Sequence, residues 1–220
     1  MPGRGLFMII DSIVAGAFHS NCYLIAEHEG DEGIIIDPGD DGDAILQMAA
    51  RHRTRIIGIL MTHGHIDHIA AADAVRKATG APLYLSPADQ PLFENLPLQA
   101  SAFGSQADKI PGPIEPLSDG RNIVCGQLNL RIIETPGHSP GSVCIFVDGS
   151  PGVLFSGDTL FAGGIGRTDL WGGSYRQLLE MIRTKVLSMD DRIRVLPGHG
   201  EATTIGDERM NNPFLQDIRR

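Results

Sequence analysis

Residues 61–70 read MTHGHIDHIA and hold three of the chain's eight histidines together with an aspartate. The apolar run Ile56–Met61 leads straight into this cluster, and an alanine-rich segment with helical spacing, Asp67–Thr79, leads out of it. A strand therefore ends and a helix begins where four imidazole and carboxylate groups crowd into six residues. His63 and His65, at alternate positions, project to one side of an extended turn, and Gly64 lets the backbone bend between them. Asp67 and His68 fall at the helix start with neighbouring but different directions, which suits a second metal ion beside the first. The plain alternative is a polar loop without a ligand. That reading is favoured for a lone histidine, not for four donors at a strand end. Imidazole with carboxylate suits zinc, iron or manganese, and the absence of a nearby cysteine argues against a purely structural zinc site.

The rest of the chain repeats this pattern. Apolar, β-branched runs recur at Met8–Val14, Tyr23–Ala26, Gly33–Ile36, Leu83–Leu85, Ile123–Cys125, Leu128–Glu134, Val143–Val147, Val153–Phe155 and Ile193–Leu196. Helical spacing appears in Asp43–Arg51 and in Tyr175–Leu187, the latter opened by Ser174 as N-cap, with a short helix at Pro87–Leu92. Pro97–Pro116 reads as loop. Two strand-rich halves with interspersed helices predict two sheets covered by helices, in one domain over residues 1–220. Three more donors each follow an apolar strand beside glycine: His138 in Pro136-Gly137-His138, Asp158 in Gly157-Asp158, and His199 in Pro197-Gly198-His199. Each alone could be a turn residue. Together they place five of eight histidines at strand ends, where a rigid scaffold builds sites. His28 and His52 read as surface residues, and His19 fits neither group.

Composition narrows the partners. Acidic residues outnumber basic ones 27 to 18, for a formal charge of −9, which repels phosphate backbones and anionic lipid. Nucleic acid and membrane are therefore excluded as expected partners. No stretch reaches the roughly 20 apolar residues of a span, and the run Leu6–Ile10 is cut by Asp11, too short for a secretory signal. Cys22, Cys125 and Cys144 form no C-x-x-C, which suits buried thiols in a reducing, cytoplasmic setting.

The ordered motifs Thr62-His63-Gly64-His65-Ile66-Asp67-His68, Pro136-Gly137-His138, Gly157-Asp158 and Gly198-His199 resemble the metallo-β-lactamase fold superfamily over essentially the whole chain. The resemblance implies an α/β fold, a four-layer αββα sandwich with its site at one edge of the two sheets. By position, His63, His65 and His138 would hold one divalent metal ion, Asp67, His68 and His199 a second, and Asp158 would bridge them. Zinc is the expected metal, with iron or manganese as alternatives. Asp37, in Ile36-Asp37-Pro38-Gly39, matches an aspartate that supports the metal loops without being a ligand. Within the superfamily, the run Gly163–Leu170 and the ending Asn212-Pro213-Phe214-Leu215 look like short glyoxalase II proteins, the hydroxyacylglutathione hydrolases. The helical C-terminal domain that helps full-length members hold glutathione is not matched, and Asp169 stands where a tyrosine is frequent.

This resemblance implies a thioester hydrolase with a small-molecule substrate, in which a metal-bridged hydroxide attacks the carbonyl and Asp67 orients it or takes its proton. Arg167 would clamp a substrate carboxylate, or else pair with Asp169. Three other readings remain open. Persulfide dioxygenases of the same fold share the Gly166-Arg167-Thr168-Asp169 run and use one iron on residues matching His63, His138 and Asp158. A lactonase and a non-catalytic metal-binding protein complete the set. The oligomeric state is not legible.

Overall fold

Strands that are apolar on both sides need a cover on both faces. The computed structural model, which describes residues 8–218, provides one for each. A first sheet is built in sequence order from β1 (Ile9–Ala15), β2 (Ser20–Ala26), β3 (Glu32–Ile36), β4 (Arg55–Leu60), β5 (Leu83–Leu85) and β6 (Ile114–Pro116). β1, β2 and β3 pair antiparallel, and β3 to β6 run parallel. The second sheet uses β7 (Asn122–Cys125), β8 (Leu128–Glu134), β9 (Val143–Val147) and β10 (Val153–Gly157) as an antiparallel meander. After a small ribbon of β11 (Leu160–Phe161) and β12 (Gly164–Ile165), the sheet continues with β13 (Arg194–Pro197), parallel to β10, and β14 (Thr203–Thr204) at its edge. Leu6 and Phe7 of the N-terminal apolar run lie outside the described residues.

Period-two alternation sorts the side chains into three apolar layers. Leu24, Ile35 and Ile59 face outward from the first sheet, onto α1 (Gly42–Arg51), through Ile45 and Met48, and onto Val75. Their neighbours Ile25, Ile34, Ile36 and Leu60 face inward and meet Leu130, Ile132, Ile145 and Phe155 of the second sheet. Cys144, Phe146, Leu154 and Val195 point out the far side, against Leu178 and Ile182. Helix, sheet, sheet, helix: the order is the expected αββα sandwich. The three cysteines are free and buried, and no helix among the described residues is long and apolar enough to cross a membrane.

The structure departs from the sequence reading where local pattern and tertiary contact compete. Asp67–Thr79 is two helices, α2 (Ile66–Ile69) and α3 (Ala72–Thr79), because the Ala71 N–H donates to the Pro38 carbonyl at 2.9 Å instead of continuing the helix. Gly39 presses so close to the Asp67 carbonyl that a Cβ there would stand 1.7 Å from its oxygen. The Pro87–Leu92 segment is a 3₁₀ turn (Pro87–Asp89) followed by α4 (Gln90–Glu94). The stretch read as loop begins with α5 (Leu96–Ala102) and ends in β6. Ser174 caps α6 (Tyr175–Met181) as expected, but the helix then loosens into a π turn over Ile182–Val186, and α7 (Ile205–Asn211) follows β14.

Phe155 joins the inter-sheet core to the site edge. Its ring lies edge-on to Tyr23 with centroids 5.2 Å apart, and the Tyr23 hydroxyl donates to the Pro197 carbonyl at 2.6 Å, next to His199. Phe155→Ala is expected to lower unfolding free energy by about 3–5 kcal/mol in urea titration.

Candidate metal centre

Parallel strands share one carboxyl end, and loops there converge. Asp37 follows β3, residues 62–68 follow β4, Asp89 follows β5, His138 follows β8, Asp158 follows β10 and His199 follows β13. The two sheets are also stitched at this edge. Val143 N–H donates to the Thr62 carbonyl at 2.8 Å, Asn21 N–H donates to the Gly198 carbonyl at 2.7 Å, and the Asn21 side-chain amide donates to the Pro197 and Gly200 carbonyls, each at 2.9 Å.

All seven side chains expected as donors come together. His63, His65 and His138 form one group, Asp67, His68 and His199 a second, and Asp158 stands between them, 3.5 Å from His138 Nε2, 3.4 Å from His68 Nε2 and 3.7 Å from His199 Nε2. Asp67 Oδ2 is 3.1 Å from His199 Nε2 and 3.6 Å from His68 Nε2. Hydrogen bonds on the far side of three rings fix which nitrogen points inward. His138 Nδ1–H donates to the Arg167 carbonyl (2.7 Å), His68 Nδ1–H to Asp37 Oδ2 (3.0 Å), and His63 Nδ1–H to the Thr62 hydroxyl (3.1 Å), whose own proton goes to Asp37 Oδ2 (2.7 Å). Each Nε2 thereby faces the cluster, and in the neutral ring it carries the lone pair.

That arrangement fits a cation. His138 Nε2 lies 2.8 Å from His65 Nδ1 and 3.2 Å from His63 Nε2, while two nitrogens on a tetrahedral zinc stand roughly 3.3 Å apart. His68 Nε2 and Asp158 Oδ1 are buried and have no hydrogen-bond partner, a costly condition unless an ion completes them. Gly198 keeps the space open. A Cβ there would stand 2.3 Å from Asp158 Oδ1 and 2.7 Å from His68 Cε1.

The electrostatics divide the imidazoles. Burial and the neighbouring rings hold His63 far below its usual range and bring His65 and His138 down to about 4. Burial also opposes a charge on His68, but Asp158, Asp67 and Asp37 outweigh it and push the ring up to about 10. Burial raises the Asp158 carboxyl in turn, against the pull of His68 and His199. His68 therefore favours its protonated form in the metal-free chain. Burial works against ionised Asp67 as well, yet His68 and His199 keep its carboxyl far below the usual carboxylate range.

Two features were not anticipated. Asp89 is fully buried and accepts from Gly64 N–H (2.8 Å), the Ser139 hydroxyl (2.6 Å) and Gly141 N–H (2.6 Å), tying the His63–His65 turn to the His138 turn. In sequence, Ser86-Pro87-Ala88-Asp89 looks like an ordinary acidic helix start, which conceals this role. The second is an apolar cleft lined by Phe18, Phe103, Phe161 and Trp171, whose members come from four segments with no shared motif. Arg167 is exposed at the cleft, where its guanidinium makes a two-pronged contact with Asp169 at 2.7 and 2.8 Å; its backbone carbonyl serves His138. Cys22 sits in the outer core of the first sheet, not on the site. His19 and His28 are exposed, and His52 pairs with Asp11 at 2.9 Å.

Residues 15–199 match the metallo-beta-lactamase superfamily. The chain belongs to that superfamily. A Haemophilus influenzae protein named hydroxyacylglutathione hydrolase GloC is 39% identical over 215 residues, 94% of this chain and 98% of that protein. Among solved structures, the BLEG-1 B3 metallo-beta-lactamase superposes with a TM-score of 0.88 at 36% identity, covering 94% of this chain and all of that one. TTHA1623 in a di-iron-bound form gives 0.85 at 36% identity, over 93% of this chain and all of the other. The metallo-beta-lactamase superfamily binds divalent metals, and the histidine-rich edge described above is a site of that kind.

Two outcomes follow from this geometry. A cation bound at His68 Nε2 must displace the proton that Asp158, Asp67 and Asp37 favour on that ring, so zinc uptake by metal-free protein at pH 7.5 should release about one proton per chain. Calorimetry in buffers of different ionisation enthalpy reads it directly, and zinc affinity should weaken as pH falls. Asp89→Ala strands three buried donors and should cost about 2–4 kcal/mol in urea unfolding.

Proposed function

We propose that this chain is a metal-dependent hydrolase of thioesters that works with two metal ions. One observation supports the reading: at the foot of an open cleft Asp158 lies 3.5 Å from His138 on one side and 3.4 and 3.7 Å from His68 and His199 on the other, within reach of both donor groups. The full-length likeness to a protein named hydroxyacylglutathione hydrolase supports the thioester as substrate. His63, His65 and His138 would hold one ion, Asp67, His68 and His199 the other, with Asp158 between them. Bound there, the ions would supply an acidified water and positive charge for the developing oxyanion; zinc, iron and manganese all suit the donors.

The chain's own groups do the rest. Water attacks the thioester carbonyl carbon, a C–O bond forms, the C–S bond breaks, and the electron pair leaves on sulfur. The thiolate is a good leaving group and takes up the water's proton in solution, so no strong general acid is required. Asp67, a carboxylate beside the positive charge of the centre, accepts a hydrogen bond from the attacking water and orients it or takes its proton. Asp37 and Asp89 hold the donor loops in register from behind.

Metal-loaded protein is expected to release thiol from S-lactoylglutathione or another acyl thioester, read with a thiol-specific dye, and to lose that activity on chelation. Asp158→Ala should lower kcat/KM by about 10²–10³ and reduce bound metal below two per chain. Oxygen uptake with a persulfide and one iron per chain, without thiol release from any thioester, would replace this reading by the dioxygenase.

A further inference from the structure

Beside the donor groups the surface opens into a cavity of about 560 Å³. Four aromatic rings reach it from separate segments: Phe18 from the β1–β2 turn, Phe103 after α5, Phe161 in β11 and Trp171 in the loop before α6. Leu92 and Leu170 extend the same walls. The chain has 8 phenylalanines, 3 tyrosines and 1 tryptophan, so a third of its aromatic residues gather at this one place. Phe18, Phe103 and Trp171 are 42%, 55% and 59% exposed. Leaving such surface in water is unfavourable, and a bound apolar group would recover the loss. Phe18 and Phe103 pack edge to face at 4.8 Å and form one wall, while Phe161 stands edge-on to His199 at 6.1 Å, carrying the apolar surface up to the donors.

Charge points the same way. The guanidinium at the cleft, Arg167, is already neutralised by Asp169. On the other side of Asp67 a groove of about 600 Å³ is lined by Asp40, Asp73 and Asp108, and its Lys77 is engaged by Asp73 at 2.7 Å. Lys109 is the one remaining cation there. Neither side offers the set of free cations that a carrier with several carboxylates requires.

Resting on the hydrolase reading, we propose that the substrate is a thioester whose acyl group is large, apolar and uncharged, and that the cleft of Phe18, Phe103, Phe161 and Trp171 holds that group. Soluble thiol carriers are polar, so the apolar part of a thioester is its acyl side. A volume of this size accommodates an aryl or six-carbon chain.

The test uses the zinc-loaded full chain with thioesters of one neutral thiol, N-acetylcysteamine, bearing acetyl, hexanoyl or phenylacetyl groups, alongside S-lactoylglutathione. The hexanoyl and phenylacetyl compounds should exceed acetyl in kcat/KM by at least about tenfold, and Trp171→Ala should reduce that ratio by a similar factor. Trp171 is the chain's sole tryptophan, so its fluorescence reports cleft occupancy independently of turnover; the probe is the ketone analogue of the phenylacetyl thioester, with methylene in place of sulfur. Thioester hydrolysis with no acyl preference, or with S-lactoylglutathione fastest, overturns the substrate class and leaves the hydrolase reading intact. Absence of thiol release from every thioester overturns the hydrolase reading. In that case a saturable fluorescence shift with the ketone still supports an apolar subsite, and a flat titration overturns that too.

Discussion

The buried carboxylate of Asp37 is the contact on which the site depends. It stands at the end of β3 with a backbone φ of +53°, a conformation costly for a side chain larger than glycine. From there it accepts the Thr62 N–H at 2.7 Å, the Thr62 hydroxyl and the His68 ring. One carboxylate thus holds both ends of the Thr62–His68 turn. Asp89 does the equivalent work behind the turn, linking Gly64 to the Ser139–Gly141 loop of the other sheet. A buried carboxylate is tolerable only when fully bonded, and each of these has three donors. They set ring directions, and the donor geometry follows.

Asp37, Asp67 and Asp158 surround His68, which is completely buried. In an interior of low effective dielectric this much negative charge demands a positive counterpart. A proton on His68 meets part of that demand, and a divalent ion would meet it more completely. Metal and proton therefore compete for the same atoms. Asp67 gains from either, because any positive charge beside it keeps it ionised.

The sandwich was legible because its strands are continuous apolar runs ending in glycine, proline or aspartate, and the donors because they lie in short, ordered motifs at those ends. Strand limits moved by one to three residues, the most at β2, which starts at Ser20 instead of Tyr23. What was hidden in each case is set by contacts distant in sequence. Helix Asp67–Thr79 breaks because Pro38 captures the Ala71 N–H. Asp89 looks like a surface cap until Ser139 and Gly141 are folded onto it. The aromatic cleft has no motif, since nothing along the chain relates Phe18 to Phe161. The pairing of Arg167 with Asp169, by contrast, is local and was one of the two readings open in the sequence, beside a clamp for a substrate carboxylate.

The donors also divide between the two sheets. His63, His65, Asp67 and His68 issue from the first, built from residues 9–116, and His138, Asp158 and His199 from the second, built from residues 122–204. An ion shared among them is a reversible cross-link between the two halves of the chain, spanning 136 positions from His63 to His199. Separating the halves would tear that link open, so occupancy adds to the work of unfolding by mass action. The centre would then act as a fastener as well as a workplace, and a chain stripped of metal would be easier to pull apart at the edge where its chemistry is done.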